Sequence, residues 1–165
     1  MLIYHPAFDL HHCVYRLLLL LSRTEGEVEV ERLRIWDFYF VFPREAKLVS
    51  IPNDKSELRA LIHRRQPRNP YEDLVNPKRV MKRMESYQLA ALNCLASYDF
   101  IEKQLLEKML VKRTDKSAPP ALEKLFTSLH AEQSAILELI SGLNDLPLTR
   151  FKQRTGLLEY KYDAH

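Results

Sequence analysis

Apolar positions along the chain recur mostly at helical spacing. Leu10, Val14, Leu17 and Leu21 form one stripe, widened by Cys13 and Leu20. Asp9 stands just ahead, where a carboxylate accepts the free N–H groups of a first turn, so a helix is predicted from there to about Ser22. After a turn at Gly26 a second helix is predicted over about Glu29 to Val41. A strand competes at its start, where Val28 and Val30 alternate with Glu. The unbroken length decides for helix, and Pro43 supplies a stop. Leu33, Trp36 and Phe40 share one side of it; Ile35, Phe38, Tyr39 and Phe42 cover most of the rest. A helix apolar nearly all round must be covered on more than one face, and in a chain this small part of the cover can come from another subunit.

Further along, "LVSIP" at 48–52 reads as a short strand. Asp54 with Glu57 resembles a capping box for a short helix, Lys55 to about Arg64. Pro67 and Pro70 make 64–73 a loop. Asn76 followed by Pro77 pairs a capping residue with the residue preferred at the first helical position. The helix it opens should reach about Tyr98, with Val80, Met84, Tyr87, Ala91 and Leu95 inward and Lys82, Glu85, Asn93 and Ser97 outward. A short helix over about Ile101 to Glu107 leads to a strand in "MLVKRT". The last helix is predicted from about Pro120 to Ser141, ended by Gly142 in a left-handed cap. In the tail, Leu158, Tyr160 and Tyr162 alternate with Glu159 and Lys161, which is strand spacing; this strand over 157–163 is expected to pair near Leu2–Tyr4. The fold class expected is mainly α with small β elements, a winged-helix-like compact helical domain. One domain spans 1–165, with a winged-helix-like part over about 1–68 and a helical part over about 76–165.

Composition narrows this little. Of 165 residues, 46% are apolar and 28% charged, an ordinary globular balance. Only three glycines argue against a Gly-rich phosphate loop and against an all-β fold with many tight turns. The apolar run "LLLLL" at 17–21 is far short of the ~20 residues a spanning helix needs, and it lies too far from a basic start to act as a signal peptide. No membrane contact and a cytoplasmic location are expected. Cys13 and Cys94 both fall on apolar helical stretches, which fits core thiols in a reducing compartment.

The charge of +3 is unevenly spread. Between Lys55 and Arg83 nine Lys and Arg meet only Glu57, Glu72 and Asp73, so the remaining chain is net acidic. Lys55, Arg59, Arg64, Arg65, Arg68, Lys78, Arg79, Lys82 and Arg83 are candidate contacts to phosphate or to an acidic partner; a solvated helical face is the alternative. In a winged-helix regulator they would meet the DNA backbone. No set of Asn, Gln and Arg is arranged for base edges, so any contact would be non-specific.

Catalytic chemistry has no foothold. His11, His12 and Cys13 fan out by roughly 100° each around a helix and do not converge on a metal with His5. HExxH, CxxC, GxSxG and GxxxxGK(S/T) are all absent. Asp37, alone inside the aromatic stretch, reads as a buried ion pair with Arg34 or another Arg rather than as a general acid. No catalytic residue, cofactor or metal is expected, and the chain is not expected to be an enzyme.

Several stretches in order carry a resemblance: "YHPAFDLHHCVYRLL" at 4–18, "RLRIWDFYFVFP" at 32–43, "NPYE" at 69–72, "QLAALNCLASYDFI" at 88–101 and "RTGLLEYKYD" at 154–163. The chain resembles the middle components of bacterial ABC three-component systems, and the similar small subunit of Lamassu-type anti-phage defence complexes. The resemblance implies an adaptor between an SMC-like coiled-coil ATPase and an effector nuclease, holding the effector inactive until DNA is sensed. It implies a winged-helix or small helical module and carries over no catalytic residue. Phe8, Trp36, Phe38, Tyr39, Phe42, Tyr160 and Tyr162 are the candidate partner-docking residues, because large rigid aromatics bury area at low entropic cost. Core packing is the rival use of the same side chains.

Overall fold

A computed structural model describes residues 4–49, 56–62 and 76–159. The described chain is mainly helical, as the periodicity predicts, with one two-stranded antiparallel sheet. A 3-10 turn at Pro6–Phe8 leads into α1 (Leu10–Leu21), and β1 (Val28–Glu29) runs directly into α2 (Val30–Val41). A second 3-10 stretch, Pro43–Leu48, precedes α3 (Ser56–Ile62). Then come α4 (Pro77–Ser97), α5 (Lys103–Leu106), β2 (Leu110–Val111), α6 (Pro120–Thr127), α7 (Ala131–Leu143) and α8 (Leu148–Thr155). The caps expected for α1 and α4 are formed: Asp9 Oδ1 accepts from the His12 N–H at 2.9 Å, and Asn76 Oδ1 from the Arg79 N–H at 3.1 Å.

The arrangement centres on α2. It packs against α1 and α4, which lie along one another, and also against α7 and α8. That explains why its residues Arg32 to Phe40 are all buried. The cover that an all-round apolar helix demands comes from the chain's own helices, not from a second subunit. Burying each of the large side chains Trp36, Phe38 and Phe40 contributes about 1.5–3 kcal/mol, an upper range because unfolded chains already bury some area. The sheet pairs Val28 with Val111 and Glu29 with Leu110, joining residues from the two halves of the sequence.

Three expectations change. The helix expected over 120–141 is two helices. At Ser128 the backbone leaves helical angles (φ −104°, ψ 39°), and α7 restarts with the His130 N–H donating to Gln133 Oε1 at 3.3 Å. The break lets Phe126 of α6 lie against Tyr15, with ring centroids 5.5 Å apart, while α7 turns Ile136 and Ile140 into the core. Gly142 is accordingly inside the last turn of α7 rather than its left-handed end. Of the strand expected over 157–163, residues 157–159 carry none; they follow α8, which Gly156 ends at φ 63°. Tyr160, Tyr162, Asp163 and the pairing site at residues 2–3 lie outside the described residues, as do 50–52 of the "LVSIP" strand and the 64–73 loop; Leu48 closes a 3-10 turn.

A basic groove over a buried polar centre

Of the aromatic docking candidates, Trp36, Phe38 and Tyr39 are 1%, 0% and 5% exposed. They pack in the core, where α1, α4, α7 and α8 surround the helix that carries them, so they form no exposed face; Phe38 and Tyr39 still reach the wall of a cavity. Phe8 and Phe42 are half-buried at one end of the bundle. There His5 stacks on Phe42 at 5.4 Å, Phe8 meets Tyr87 at 6.1 Å, and the Arg83 guanidinium lies 4.0 Å from the Phe8 ring centroid. Burial, with a smaller push from the Arg16 charge, lowers the His5 pKa below its ordinary value.

Asp37 sits at the heart of this core, fully buried. Its ionic partner is Arg16, twenty-one positions upstream, rather than Arg34. Arg16 donates from Nε to Oδ1 and from Nη2 to Oδ2 (3.1 Å), and its Nη1 donates to the Pro6 carbonyl at 2.7 Å. Gln88 Nε2 donates to Asp37 Oδ2 at 2.9 Å and to the Arg34 carbonyl at 3.1 Å. The Arg34 Nε donates back to Gln88 Oε1 at 3.0 Å. One carboxylate thus ties α1, α2 and α4 together with its lone pairs satisfied, the condition for a charge to be tolerated in a core. Burial works against the Arg16 charge, but the Asp37 carboxylate outweighs it and holds the guanidinium pKa above its ordinary value. Burial, helped by the Asp37 charge, pushes the Cys13 thiol up; its Sγ lies 3.9 Å from Oδ2. Cys13 is therefore a protonated core thiol, whereas Cys94 is half-buried.

A second set of buried cations fastens α2 to the C-terminal helices. Arg32 donates to Glu29 Oε2 at 2.7 Å and to the Leu143 and Leu146 carbonyls at the end of α7, and lies 5.1 Å from the Phe151 ring. A cation there complements the exposed carbonyl end of a helix. Lys152, 2% exposed, reaches both carboxylate oxygens of Glu31 at 3.1 Å.

Above the polar centre two cavities meet at the N-terminal end of α4. The larger, about 560 Å³, is lined by Arg34, Lys78, Lys82, Glu85, Leu158 and Glu159 together with Gly156 and Leu157. The smaller, about 350 Å³, lies against Phe38, Tyr39, Glu45, Pro77 and Thr155 and shares Lys78, Gly156 and Leu157 with the first. Gly156 opens this space by turning the chain in the left-handed conformation at the end of α8. Arg34 lies at its base, only 6% exposed, with Nη2 2.7 Å from the half-exposed Glu85 carboxylate.

Of the nine basic candidates, Lys78, Arg79, Lys82 and Arg83 are exposed on the first turns of α4, and Arg59 is exposed on α3 with a partner of its own. Lys55, Arg64, Arg65 and Arg68 lie outside the described residues. Lys78 and Lys82 are brought to the groove, while Arg83 is drawn to Phe8. Among the described residues no cluster of three His, Cys, Asp or Glu is placed to hold a metal ion. No helix among them is long and apolar enough to cross a membrane.

The family model for the ABC-three component (ABC-3C) system Middle Component 5 matches residues 2–163. The chain belongs to this family. No curated protein and no solved structure matches it. As a middle component of a multi-component system, it works among protein partners. Arg34, at the base of the groove of this middle component, is the residue that reading the sequence for sites missed. A cation three positions before Asp37 reads as that acid's partner; only the packing of α1 gives Asp37 to Arg16 and frees Arg34 to face Glu85.

Proposed function

We propose that this chain is a non-catalytic adaptor that bridges an SMC-like coiled-coil ATPase and an effector nuclease in a cytoplasmic bacterial anti-phage or anti-plasmid defence complex, restraining the effector until DNA is sensed. The match to a middle component over residues 2–163 carries this reading, because a component of a multi-component system stands among other subunits, as an adaptor does. The two neighbours are named from the resemblance of the sequence stretches to the small Lamassu subunit, and are part of the proposal. The physical support lies in the groove, a concave surface next to exposed cations on a helix that is locked into the core by Gln88. A rigid mount of this kind suits docking, since little order has to be gained on binding.

Co-expression with the ATPase and effector encoded beside it tests the reading. A stable ternary complex is expected, together with lower nuclease activity of the effector in that complex than alone. Recovery of this chain free of both neighbours at moderate salt would overturn it.

A further inference from the structure

The two cavities at the start of α4 differ in chemistry although they share a wall. One is cationic: Arg34 forms its base, and Lys78 and Lys82 stand one helical turn apart along its side. The N-terminal end of a 21-residue helix adds a positive field to the same place. The other is mostly apolar, with Phe38, Tyr39, Pro77 and Leu157 in its wall beside Glu45 and Thr155. Lys78 lies at their junction.

Arg34 is the informative residue. It is more than nine-tenths buried, and its Nη2 is held in an ion pair with the Glu85 carboxylate at 2.7 Å without the alignment of a hydrogen bond. Glu85 is 48% exposed and rides on the outer face of α4. A buried guanidinium whose ion-pair partner is a half-exposed, poorly aligned carboxylate is suited to exchange it for a carboxylate from outside.

We propose that this groove binds a linear segment of a partner subunit in which an acidic side chain neighbours an aliphatic or aromatic one. The carboxylate replaces Glu85 on Arg34 and pairs with Lys78 or Lys82, and the apolar neighbour enters the pocket beside Phe38 and Tyr39. The inference rests on the adaptor reading and names the surface that reading needs. A nucleic-acid backbone fits less well. Its phosphates need cations that stand out, whereas Arg34 is buried, and Glu85 and Glu159 in the same lining would repel a continuous polyanion.

Short overlapping synthetic peptides covering the neighbouring ATPase and effector serve as probes against the full-length chain, with fluorescence anisotropy as readout. One or more acidic-plus-apolar peptides should bind the wild type. Lys78→Glu with Lys82→Glu should weaken them about tenfold, and Glu85→Gln should tighten them about threefold by removing the competing carboxylate. Replacing the peptide's acidic residue by Lys should restore binding to the charge-reversed chain, which a merely destabilised fold would not do. Glu85→Gln alters one half-exposed side chain and keeps the test open if the double variant fails to fold. No bound peptide, or equal binding by wild type and double variant, overturns the groove proposal. So does loss of duplex DNA affinity in the double variant with peptide binding intact. If the intact subunits co-purify equally with both forms, the groove proposal falls and the adaptor reading stands. If a peptide binds as expected but neither intact subunit co-purifies with the wild type, the adaptor reading falls and the groove stands.

Discussion

Asp37 shows how much one side chain can commit a fold. Its carboxylate accepts from Arg16 and Gln88, so three helices converge on a single buried charge. Asp37→Asn keeps the shape but leaves the Arg16 guanidinium in the core without its counter-charge. Unfolding by urea should show a loss of about 3–5 kcal/mol, a large part of a typical domain's stability. Asp37→Asn combined with Arg16→Met should recover part of that loss, because the uncompensated charge then leaves with its partner. A buried pair for Asp37 could be expected from its surroundings alone, since an acid amid aromatic residues needs one. The identity of the partner could not, because Arg34 is near in sequence while Arg16 is near only once α1 packs on α2. The aromatic residues were harder still: the same rings serve a core or an interface, and only the number of helices around α2 decides between them.

At the scale of elements, what could be read ahead was what the backbone announces locally. Asp9 and Asn76–Pro77 mark helix starts by hydrogen-bonding chemistry that does not depend on the rest of the fold, and α1, α2 and α4 emerge near their expected bounds. The break between α6 and α7 was hidden because the apolar spacing continues across 128–130 with neither Gly nor Pro. Helix α8 gave no signal because its eight residues hold only Leu148 and Phe151 as apolar positions. Helix α4 ends without the usual glycine. Asp99 takes the left-handed conformation (φ 60°), with its own N–H donating to the Ala96 carbonyl at 3.1 Å and the Phe100 N–H to the Leu95 carbonyl at 2.9 Å. This is the Schellman closure with an aspartate where glycine is favoured. Asp99→Gly should raise stability by about 0.5–1 kcal/mol, since the exposed pairing of Asp99 with Lys103 at 3.3 Å contributes little. Gly156→Ala should do the reverse by about 1 kcal/mol. A Cβ there would touch nothing within 4 Å, so the loss would come from the backbone alone. Thermal melts of the two variants, moving in opposite directions, check both.

For the whole molecule, the connections between early and late sequence matter most. The first half contributes α1, α2 and α3; the second contributes α4, which lies along α1, β2, which pairs with β1, and α7 and α8, which pack on α2. Neither half is complete without the other, since Asp37 and Arg16 need Gln88, and Arg32 needs the end of α7. Contacts made across the sequence therefore hold the two sets of helices together. If those contacts suffice, a chain opened by an introduced protease site between Ile62 and Asn76 stays as one particle in size-exclusion chromatography and separates only in denaturant. Two polypeptides expressed separately, split at the same place, should find each other and rebuild the fold, so that this small protein would behave as an interlocked pair of fragments held by a shared interior.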